Sequence, residues 1–305
     1  DLNMQRYTEL LLAIGYQERP QLFARAIRKG APLYSSVLEI TERVTADGEV
    51  LVPLDVAAAR VGMRAAFESG LRAIAIVLMH GYRYTAHEEQ LAALALEVGF
   101  TQISVSHRVG ALIKLVGRGD TTVVDAYLSP VLHRYVERLS RELGGESRPL
   151  FMQSNGGLIE GTAFMGKDAI LSGPAGGIVG LARTAADAGF ARVIGFDMGG
   201  TSTDVSHYAG AFERTNETLV AGARIRAPMM RIDTVAAGGG SICRFDGARL
   251  VVGPQSAGAI PGPACYRRGG PLTVTDCNVL LGKIQPRFFP ALFGEHGDSP
   301  LDVAA

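Results

Sequence analysis

The sequence has no tryptophan, only three cysteines and no excess of charge of either sign. Basic and acidic residues number 30 each, so no overall field favours a nucleic acid or an anionic membrane surface. The three cysteines (Cys243, Cys265 and Cys277) are widely spaced and contain no Cys-x-x-Cys pair. This usage argues against a disulfide framework or a zinc ribbon and fits a reducing, cytoplasmic setting.

Long apolar runs are also missing. No apolar run of about 18 residues is free of charge, and the amino terminus does not have the pattern of a secretion signal. The composition therefore predicts neither a membrane span nor export by that route. The chain begins with Asp1 rather than Met, from which we expect a piece of a longer protein.

The first half of the chain alternates helical with strand-like patterns. Two short helices are expected within residues 1–30, and Asp47-Gly48 predicts a hairpin over Val37–Leu54. Three helix-to-strand units are then expected: Asp55–Ser69 with Ala73–Met79, Ala86–Val98 with Gln102–Ser106, and Asp120–Leu143 with Pro149–Gln153. Such alternation predicts an α/β layered fold.

The length of 305 residues predicts two domains, 1–157 and 158–305. A helix over 172–188 is expected early in the second domain, and small residues line its first turns. Because glycine costs up to about 1 kcal/mol relative to alanine in a helix, we expect another backbone to approach this helix closely. Further strands are expected near Glu213–Val220, Met229–Val235 and Arg249–Val252.

The stretch Val193–Ser206 combines a strand, a glycine turn and two carboxylates. Its apolar residues predict a buried strand, and Gly199-Gly200 lacks the Cβ atoms that would keep a phosphate from backbone amides. Asp197 and Asp204 are suited to hold a hydrated Mg²⁺ or to orient an attacking group. Hydroxyl groups are offered by three consecutive residues, Thr201, Ser202 and Thr203. The alternative is an ordinary β-hairpin whose glycines and aspartates are only structural.

A second candidate site follows Asp233-Thr234. Its three consecutive glycines, Gly238, Gly239 and Gly240, permit a nest of amides around an anion, and the alternative is a mobile turn between two strands. Three upstream arginines fit either an anion clamp or a solvated strand face: Arg224, Arg226 and Arg231.

Several motifs together resemble the hydantoinase A / 5-oxoprolinase family. Three carry most of the resemblance: Ser172-Gly-Pro-Ala-Gly-Gly-Ile-Val-Gly180, Phe196-Asp-Met-Gly-Gly-Thr-Ser-Thr-Asp-Val205 and Gly253-Pro-Gln-Ser-Ala-Gly-Ala-Ile-Pro-Gly-Pro-Ala-Cys-Tyr266. Two shorter segments fit the same pattern, Met152–Gly157 and Ile14–Pro20. The resemblance covers nearly the whole chain.

The resemblance implies the ribonuclease-H-like, actin-like ATPase superfold, in which mixed sheets flanked by helices form two lobes that close on ATP. In that superfold, helix 172–188 would be the connecting helix and hairpin 193–206 the second phosphate segment. Asp197 and Asp204 would act through Mg²⁺ or water, and Gly199, Gly200 and Thr201 would contact phosphate oxygens.

Members of the family use ATP to phosphorylate the carbonyl oxygen of a cyclic amide or imide, which is then opened by water. Hydantoin, N-methylhydantoin and 5-oxoproline are the substrates implied, and a B-type subunit is the partner implied. Neither a nucleic acid nor a membrane is expected as a partner, and a homo-oligomer is allowed. The alternatives are an ATP-dependent ketone carboxylase subunit and a non-catalytic, actin-like or chaperone-like nucleotide switch.

Two departures from the family pattern limit this expectation. The family's amino-terminal Asp-x-Gly-Gly-Thr-type phosphate segment and its carboxyl-terminal Gly-Gly adenosine segment are not found in the sequence. We therefore expect the chain to be the central piece of a longer subunit, and to bind ATP weakly and turn nothing over by itself.

Overall fold

The computed structural model describes residues 32–144, 147–220 and 222–304. The two short helices expected before residue 31, and the family motif Ile14–Pro20, lie outside the described residues. The chain divides into two compact units. The first extends to Ala175 and also includes Arg214–Met230, and the second comprises Gly176–Glu213 and Arg231–Ala305.

The first unit alternates strands and helices. In chain order its elements are β1 (Arg43–Val44), β2 (Val50–Val52), α1 (Val56–Glu68), β3 (Ala73–Ile76), α2 (Ala86–Val98), β4 (Gln102–Val105), α3 (Ser106–Gly110), α4 (Leu115–Glu142), β5 (Leu150–Met152), β6 (Leu158–Glu160) and α5 (Gly166–Ala169). Helix α6 (Ser172–Asp187) begins at the end of this unit and continues into the second. Four short strands complete the unit: β9 (Arg214–Thr215), β10 (Thr218–Val220), β11 (Ala223–Ile225) and β12 (Met229–Met230).

The expected helix-to-strand units are present in the first unit. The expected hairpin forms as β1 paired antiparallel with β2, and β3 pairs in parallel with β4 through the crossover helix α2. The start of α1 is fixed by Asp55, whose carboxylate accepts the amide of Ala58 at 2.9 Å, and Gly99 ends α2 at a φ of 113°. A buried core lies between these elements and contains Ala59, Met63, Ile76, Leu91, Ala92, Leu94, Ala95, Phe100 and Val105.

The long helix α4 begins at Leu115, earlier than the residue expected from the sequence, Asp120. Its first turns carry buried polar side chains, so the hydrophobic pattern alone does not mark its start. Arg118, which is only 1% exposed, donates to Ser106 Oγ at 2.9 Å and to the carbonyl oxygen of Leu112. Burial of these groups is compensated by hydrogen bonds within the unit.

The second unit is built from short antiparallel strands. Its elements are the rest of α6, β7 (Val193–Met198), β8 (Thr203–Tyr208), β13 (Asp233–Val235), β14 (Ser241–Phe245), β15 (Leu250–Ser256) and α7 (Val274–Leu280). The strands form a three-stranded sheet of order β13-β8-β7 and a β14-β15 hairpin. A small buried cluster of Cys265, Val279 and Leu301 lies beside α7.

Strand β7 differs from the buried strand that the sequence predicts. It lies at the edge of its sheet, and successive side chains point to opposite faces. On one face, a Cβ built on Gly195 would lie 2.7 Å from Leu181 of α6. On the other face, Ile194 and Phe196 are 72% and 70% exposed. These two apolar side chains lie on a face of the sheet that the described residues do not cover.

Helix α6 also differs from expectation. A Cβ added at Gly173, Gly177 or Gly180 would meet no heavy atom of the described chain within 4 Å. At these three glycines, no close backbone approach is therefore found within residues 32–144, 147–220 and 222–304. Within the same ranges, no helix combines the length and apolar character needed to cross a bilayer.

Candidate functional site

The hairpin of β7 and β8 places the two candidate carboxylates side by side. Asp197 pairs directly with Asp204 across the two strands, so both side chains project from the same face of the sheet. In such a pair the Cβ atoms are about 4.5–5.5 Å apart, which is close enough for two carboxylates to share one cation. Thr234 of β13 is the neighbour of Asp204 on its other side and donates its hydroxyl to Asp204 Oδ1 at 2.7 Å.

The turn between β7 and β8 leaves backbone donors open. Gly199 donates its amide to the carbonyl oxygen of Ser202 at 2.9 Å and thereby closes the turn. Among the described residues, no hydrogen-bond acceptor is found for the amides of Gly200, Thr201 and Ser202. Gly199, Gly200 and Thr201 are exposed, and a Cβ on Gly200 would meet nothing within 4 Å. Successive unpaired amides in an open turn are suited to hold an anion.

The second candidate site, the Gly238–Gly240 run, packs directly against this turn. The amide of Gly239 donates to the carbonyl oxygen of Gly199 at 2.9 Å, and that of Gly240 donates to Gly200 at 2.7 Å. Gly238 donates to Ser241 Oγ at 2.9 Å. All three amides are therefore engaged within the protein, so the run is not a free nest for an anion. It supports the neighbouring turn.

The contact between the two glycine turns leaves no room for side chains. A Cβ built on Gly238 would lie 2.7 Å from the carbonyl oxygen of Gly199 and 2.8 Å from Ser202 N. A Cβ on Gly240 would lie 2.9 Å from the carbonyl oxygen of Gly200 and from Ser256 Oγ. These distances are shorter than real Cβ contacts, so both positions require glycine.

Helix α7 and a buried threonine reinforce this support. Thr275, in the first turn of α7, donates both its amide and its hydroxyl to the carbonyl oxygen of Gly239, each at 2.8 Å. The side chain of Thr203 donates to the carbonyl oxygen of Ala237 at 2.6 Å, and Thr203 is 5% exposed. Of the three hydroxyls proposed for phosphate contact, that of Thr203 is therefore used internally. Thr201 and Ser202 lie in the open turn.

Thr275 is a site residue that sequence reasoning missed. Its contact with Gly239 joins residues far apart in the chain, which no local pattern predicts. The sequence does mark the start of α7, because Thr273 and Asp276 form a capping box. That signal predicts a helix but does not say what its first turn contacts.

Asp276 caps the first turn of α7, the helix that carries Thr275. Burial by itself raises the pKa of its carboxyl, but hydrogen bonds from Cys265 and Thr273 more than offset this, and the net pKa lies below the usual range. The amide of Cys265 donates at 2.7 Å, and the amide and hydroxyl of Thr273 donate at 2.6 and 2.9 Å. A charged Asp276 therefore orders the helix that carries Thr275.

The three upstream arginines do not converge on the glycine run. Arg224 and Arg226 pair with Glu217 at 3.6 and 3.2 Å in the first unit. Arg231, in the second unit, pairs with Glu213 at 3.8 Å. The anion clamp considered from the sequence is therefore not formed, and these charges are partnered by glutamates.

The site offers limited ligands for a metal ion. In the described part of the chain, no group of three or more His, Cys, Asp or Glu side chains is placed to hold one. Two carboxylates are nevertheless a sufficient protein contribution for Mg²⁺, which keeps several waters and takes its other ligands from phosphate oxygens. The pair Asp197 and Asp204, beside open amides, fits Mg²⁺ bound together with a phosphate group.

Comparison with known proteins agrees with the motifs. The family model described as "Hydantoinase/oxoprolinase" matches residues 118–305, and "Hydantoinase/oxoprolinase N-terminal region" matches residues 2–99. The chain is 44% identical to 5-oxoprolinase 1 of Arabidopsis thaliana over 97% of its length and 25% of the relative. It is 40% identical to the caprolactamase subunit alpha of Pseudomonas jessenii over 79% of its length and 36% of the relative.

Two solved structures share the fold. Nucleotide-free acetone carboxylase superposes with a TM-score of 0.73 at 27% identity, over 98% of this chain and 43% of that one. The ATP-dependent caprolactamase from Pseudomonas jessenii superposes with a TM-score of 0.71 at 33% identity, over 97% of this chain and 44% of that one. The chain spans about a quarter of the length of the 5-oxoprolinases it matches.

Proposed function

We propose that this chain, which belongs to the hydantoinase/oxoprolinase family, is the phosphate-binding part of an ATP-dependent enzyme that activates a cyclic amide for ring opening. The observation that carries the proposal is the turn at Gly199–Ser202, where three amides without an acceptor among the described residues lie beside the Asp197–Asp204 pair. The names of its relatives, among them a 5-oxoprolinase and an ATP-dependent caprolactamase, support a cyclic amide as the substrate class.

Each site residue has a separate role in this proposal. The amides of Gly200, Thr201 and Ser202, with the hydroxyls of Thr201 and Ser202, bind phosphate oxygens of ATP. Asp197 and Asp204 hold Mg²⁺, which neutralises phosphate charge during phosphoryl transfer. Gly238, Gly239 and Gly240 bind no phosphate themselves, because the amides of Gly239 and Gly240 hold the turn and that of Gly238 donates to Ser241 Oγ.

Phosphorylation gives a physical reason for using ATP on an amide. Resonance makes an amide carbonyl a poor electrophile, and phosphorylation of its oxygen gives an imidate with a good leaving group. A rigid turn contributes by holding the phosphates at one position before the reaction, so that little reorganisation is needed when charge moves. The support by Gly239 and Thr275 supplies that rigidity.

The wider architecture belongs to the same proposal. We infer the actin-like two-lobe superfold, with α6 as the connecting helix and the β7–β8 hairpin as the second phosphate segment. The lobes 1–157 and 158–305 expected from the sequence stay a prediction, and the two compact units divide the chain at other residues. A B-type partner subunit is supported by relatives that are named as subunits, the caprolactamase alpha and acetophenone carboxylase gamma subunits. A cytoplasmic location remains part of the proposal.

ATP-dependent ketone carboxylation is the second candidate. It is favoured by the superposition with acetone carboxylase and by 34% identity to the acetophenone carboxylase gamma subunit over 82% of this chain. The solved acetone carboxylase and caprolactamase are both named as ATP-dependent, so the phosphate turn is equally suited to either reaction. A nucleotide switch without turnover has no such support from the named relatives.

Phosphate release distinguishes these candidates. The intact protein, purified with any co-encoded partner subunit, is incubated with MgATP and one of three additions: 5-oxoproline, caprolactam, or acetone with bicarbonate. We expect release to be stimulated by a cyclic amide and to fall at least about 100-fold in Asp197→Asn, as for loss of a group that holds a catalytic metal. Asp187→Asn, an exposed change at the end of α6, is the matched control.

Phosphate release that is stimulated only by acetone with bicarbonate would favour the carboxylase over the hydrolase. Nucleotide binding with no stimulated release by any addition would favour the switch. Full activity of Asp197→Asn would show that this turn is not part of the active site.

A further inference from the structure

Two cysteines that are distant in sequence meet in the second unit. Cys243 lies on β14 and Cys277 on α7, and the two elements are joined at the residues beside them. The amide of Cys243 donates to the carbonyl oxygen of Leu272 at 2.8 Å, and Ile242 forms an isolated bridge with Thr273. The chain turns into α7 directly after Thr273, and Cys277 follows one helical turn later, so that its thiol is a close neighbour of Cys243.

The third cysteine has a different environment. Cys265 is 1% exposed and belongs to the buried cluster beside α7, whereas Cys243 and Cys277 are each only partly buried. Burial, reinforced by the neighbouring Asp276 carboxylate, raises the pKa of Cys265 to about 12. Cys265 is therefore a protonated, inaccessible thiol, and the other two are accessible to a small oxidant.

We propose that Cys243 and Cys277 are a redox modification site, in which hydrogen peroxide or a similar two-electron oxidant joins them in a reversible intramolecular disulfide. Both thiols are free in the structure, which is then the reduced form. A disulfide needs Cα atoms within about 7 Å of each other, and the Ile242–Thr273 bridge holds the two elements together beside these cysteines. The proposal does not depend on the function of the neighbouring turn.

The order of steps follows from the two environments. Burial, reinforced by the adjacent Cys277, raises the pKa of Cys243, which disfavours its thiolate. We therefore assign the reaction with the oxidant to Cys277. The Cys277 thiolate attacks one peroxide oxygen, the O–O bond breaks, and sulfenic acid and hydroxide form. The hydroxide takes up a proton to give water.

Cys243 then completes the bond. Its sulfur attacks the sulfenic sulfur of Cys277, the S–O bond breaks, and the departing hydroxide leaves as water with the thiol proton of Cys243. In sum, two thiols and one peroxide give one disulfide and two waters, so the thiols are oxidised and the peroxide is reduced. A dithiol reductant reverses the reaction by exchange.

The disulfide would stabilise the glycine turn through helix α7. Thr275 lies two residues before Cys277 and holds the carbonyl oxygen of Gly239, whose amide holds Gly199. A disulfide between α7 and β14 would make these hydrogen bonds open less often. We expect the amides of Gly239 and Gly240 to exchange with deuterium at least about threefold more slowly in the oxidised form, since exchange requires such local opening.

Peptide mapping tests the pairing. The intact reduced protein is treated with excess hydrogen peroxide, and the remaining thiols are alkylated under denaturing conditions before digestion. Among these three cysteines we expect a Cys243–Cys277 linkage, alkylation of Cys265 alone, and recovery of all three thiols with dithiothreitol. Cys265→Ser should leave the linkage unchanged, and Cys243→Ser should leave a Cys277 sulfenic acid that dimedone traps.

Three results would overturn the proposal. Cys243 and Cys277 could both stay alkylatable at peroxide levels that oxidise a free model thiol. Either one could pair instead with Cys265 or with a second copy of the chain. Cys277 could also proceed to sulfinic acid in the unsubstituted protein without any linkage to Cys243.

Discussion

The amide of Gly239 donates a 2.9 Å hydrogen bond to the carbonyl oxygen of Gly199, which joins two glycine turns that are distant in the sequence. The two turns are therefore parts of one structure with different tasks. The later amides of the Gly199 turn have no acceptor in the described part of the chain, whereas the amides of Gly239 and Gly240 hold that turn in place. This division of roles makes the site testable by variants that affect support and binding separately.

Gly238→Ala tests the support. The added methyl would lie 2.7 Å from the carbonyl oxygen of Gly199, and backbone atoms cannot move aside as a side chain can. We expect a loss of about 2–4 kcal/mol in the free energy of unfolding, measured by urea denaturation. Gly200→Ala is the matched control, because its methyl meets no atom within 4 Å. Equal stability of the two variants would contradict the packing described.

Thr275→Val tests the link between α7 and the glycine run. Valine keeps the shape of threonine but removes the hydroxyl donor to the Gly239 carbonyl oxygen, which the Thr275 amide still reaches. We expect a loss of about 1 kcal/mol in unfolding free energy and faster hydrogen exchange at Gly239. Thr275→Ser retains the donor and should restore exchange at Gly239 toward the original rate. Identical exchange in the valine and serine variants would show that the hydroxyl contributes nothing.

We expect the contribution of Asp276 to the unfolding free energy to be lost in acid. Its hydrogen-bonded carboxylate has a lowered pKa in the folded protein, so its contribution to stability is present above the unfolded value of about 3.9 and is lost as pH falls through the folded value. We expect Asp276→Asn to be less stable by about 2 kcal/mol at neutral pH. The deficit should shrink in acid, as followed by urea denaturation at several pH values below 5. A deficit that stays constant with pH would contradict the assignment.

Ser106 joins two buried charged groups in the first unit. Its hydroxyl donates to Glu88 Oε1 at 2.6 Å and accepts from Arg118 Nε at 2.9 Å, and Glu88 and Arg118 are almost completely buried. Ser106→Ala leaves both charges short of a partner, so we expect a loss of about 2–4 kcal/mol in unfolding free energy. Ser69→Ala, an exposed change at the end of α1, should cost less than about 1 kcal/mol by the same denaturation measurement. A similar cost at both positions would argue against the network.

Local patterns predicted much of the fold. The hairpin after Asp47-Gly48, the α2 crossover and the β7–β8 hairpin all follow from short-range signals such as turn glycines and helix caps. The start of α4 was missed because its first turns bury Arg118 and neighbouring polar residues, whose environment is set by distant parts of the chain. Tertiary contacts decide such positions, and no local pattern contains them.

The candidate site was predicted in its parts but not in its arrangement. Both glycine runs are visible in the sequence, and each was considered as an anion site because glycine exposes amides in either case. Only the structure shows that the amides of Gly239 and Gly240 are used by the other turn. The exposure of Phe196 was missed for a related reason, since an apolar strand at a sheet edge has the same sequence as a buried one.

The most direct test of the central claim is the MgATP dissociation constant of the intact protein and of its Gly200→Ala variant, each measured by calorimetry beside urea denaturation. The methyl group has open space in the protein but lies next to the amides proposed to bind phosphate. We expect unchanged unfolding and MgATP binding at least about tenfold weaker, a difference of about 1.4 kcal/mol. Unchanged affinity with unchanged stability would contradict it.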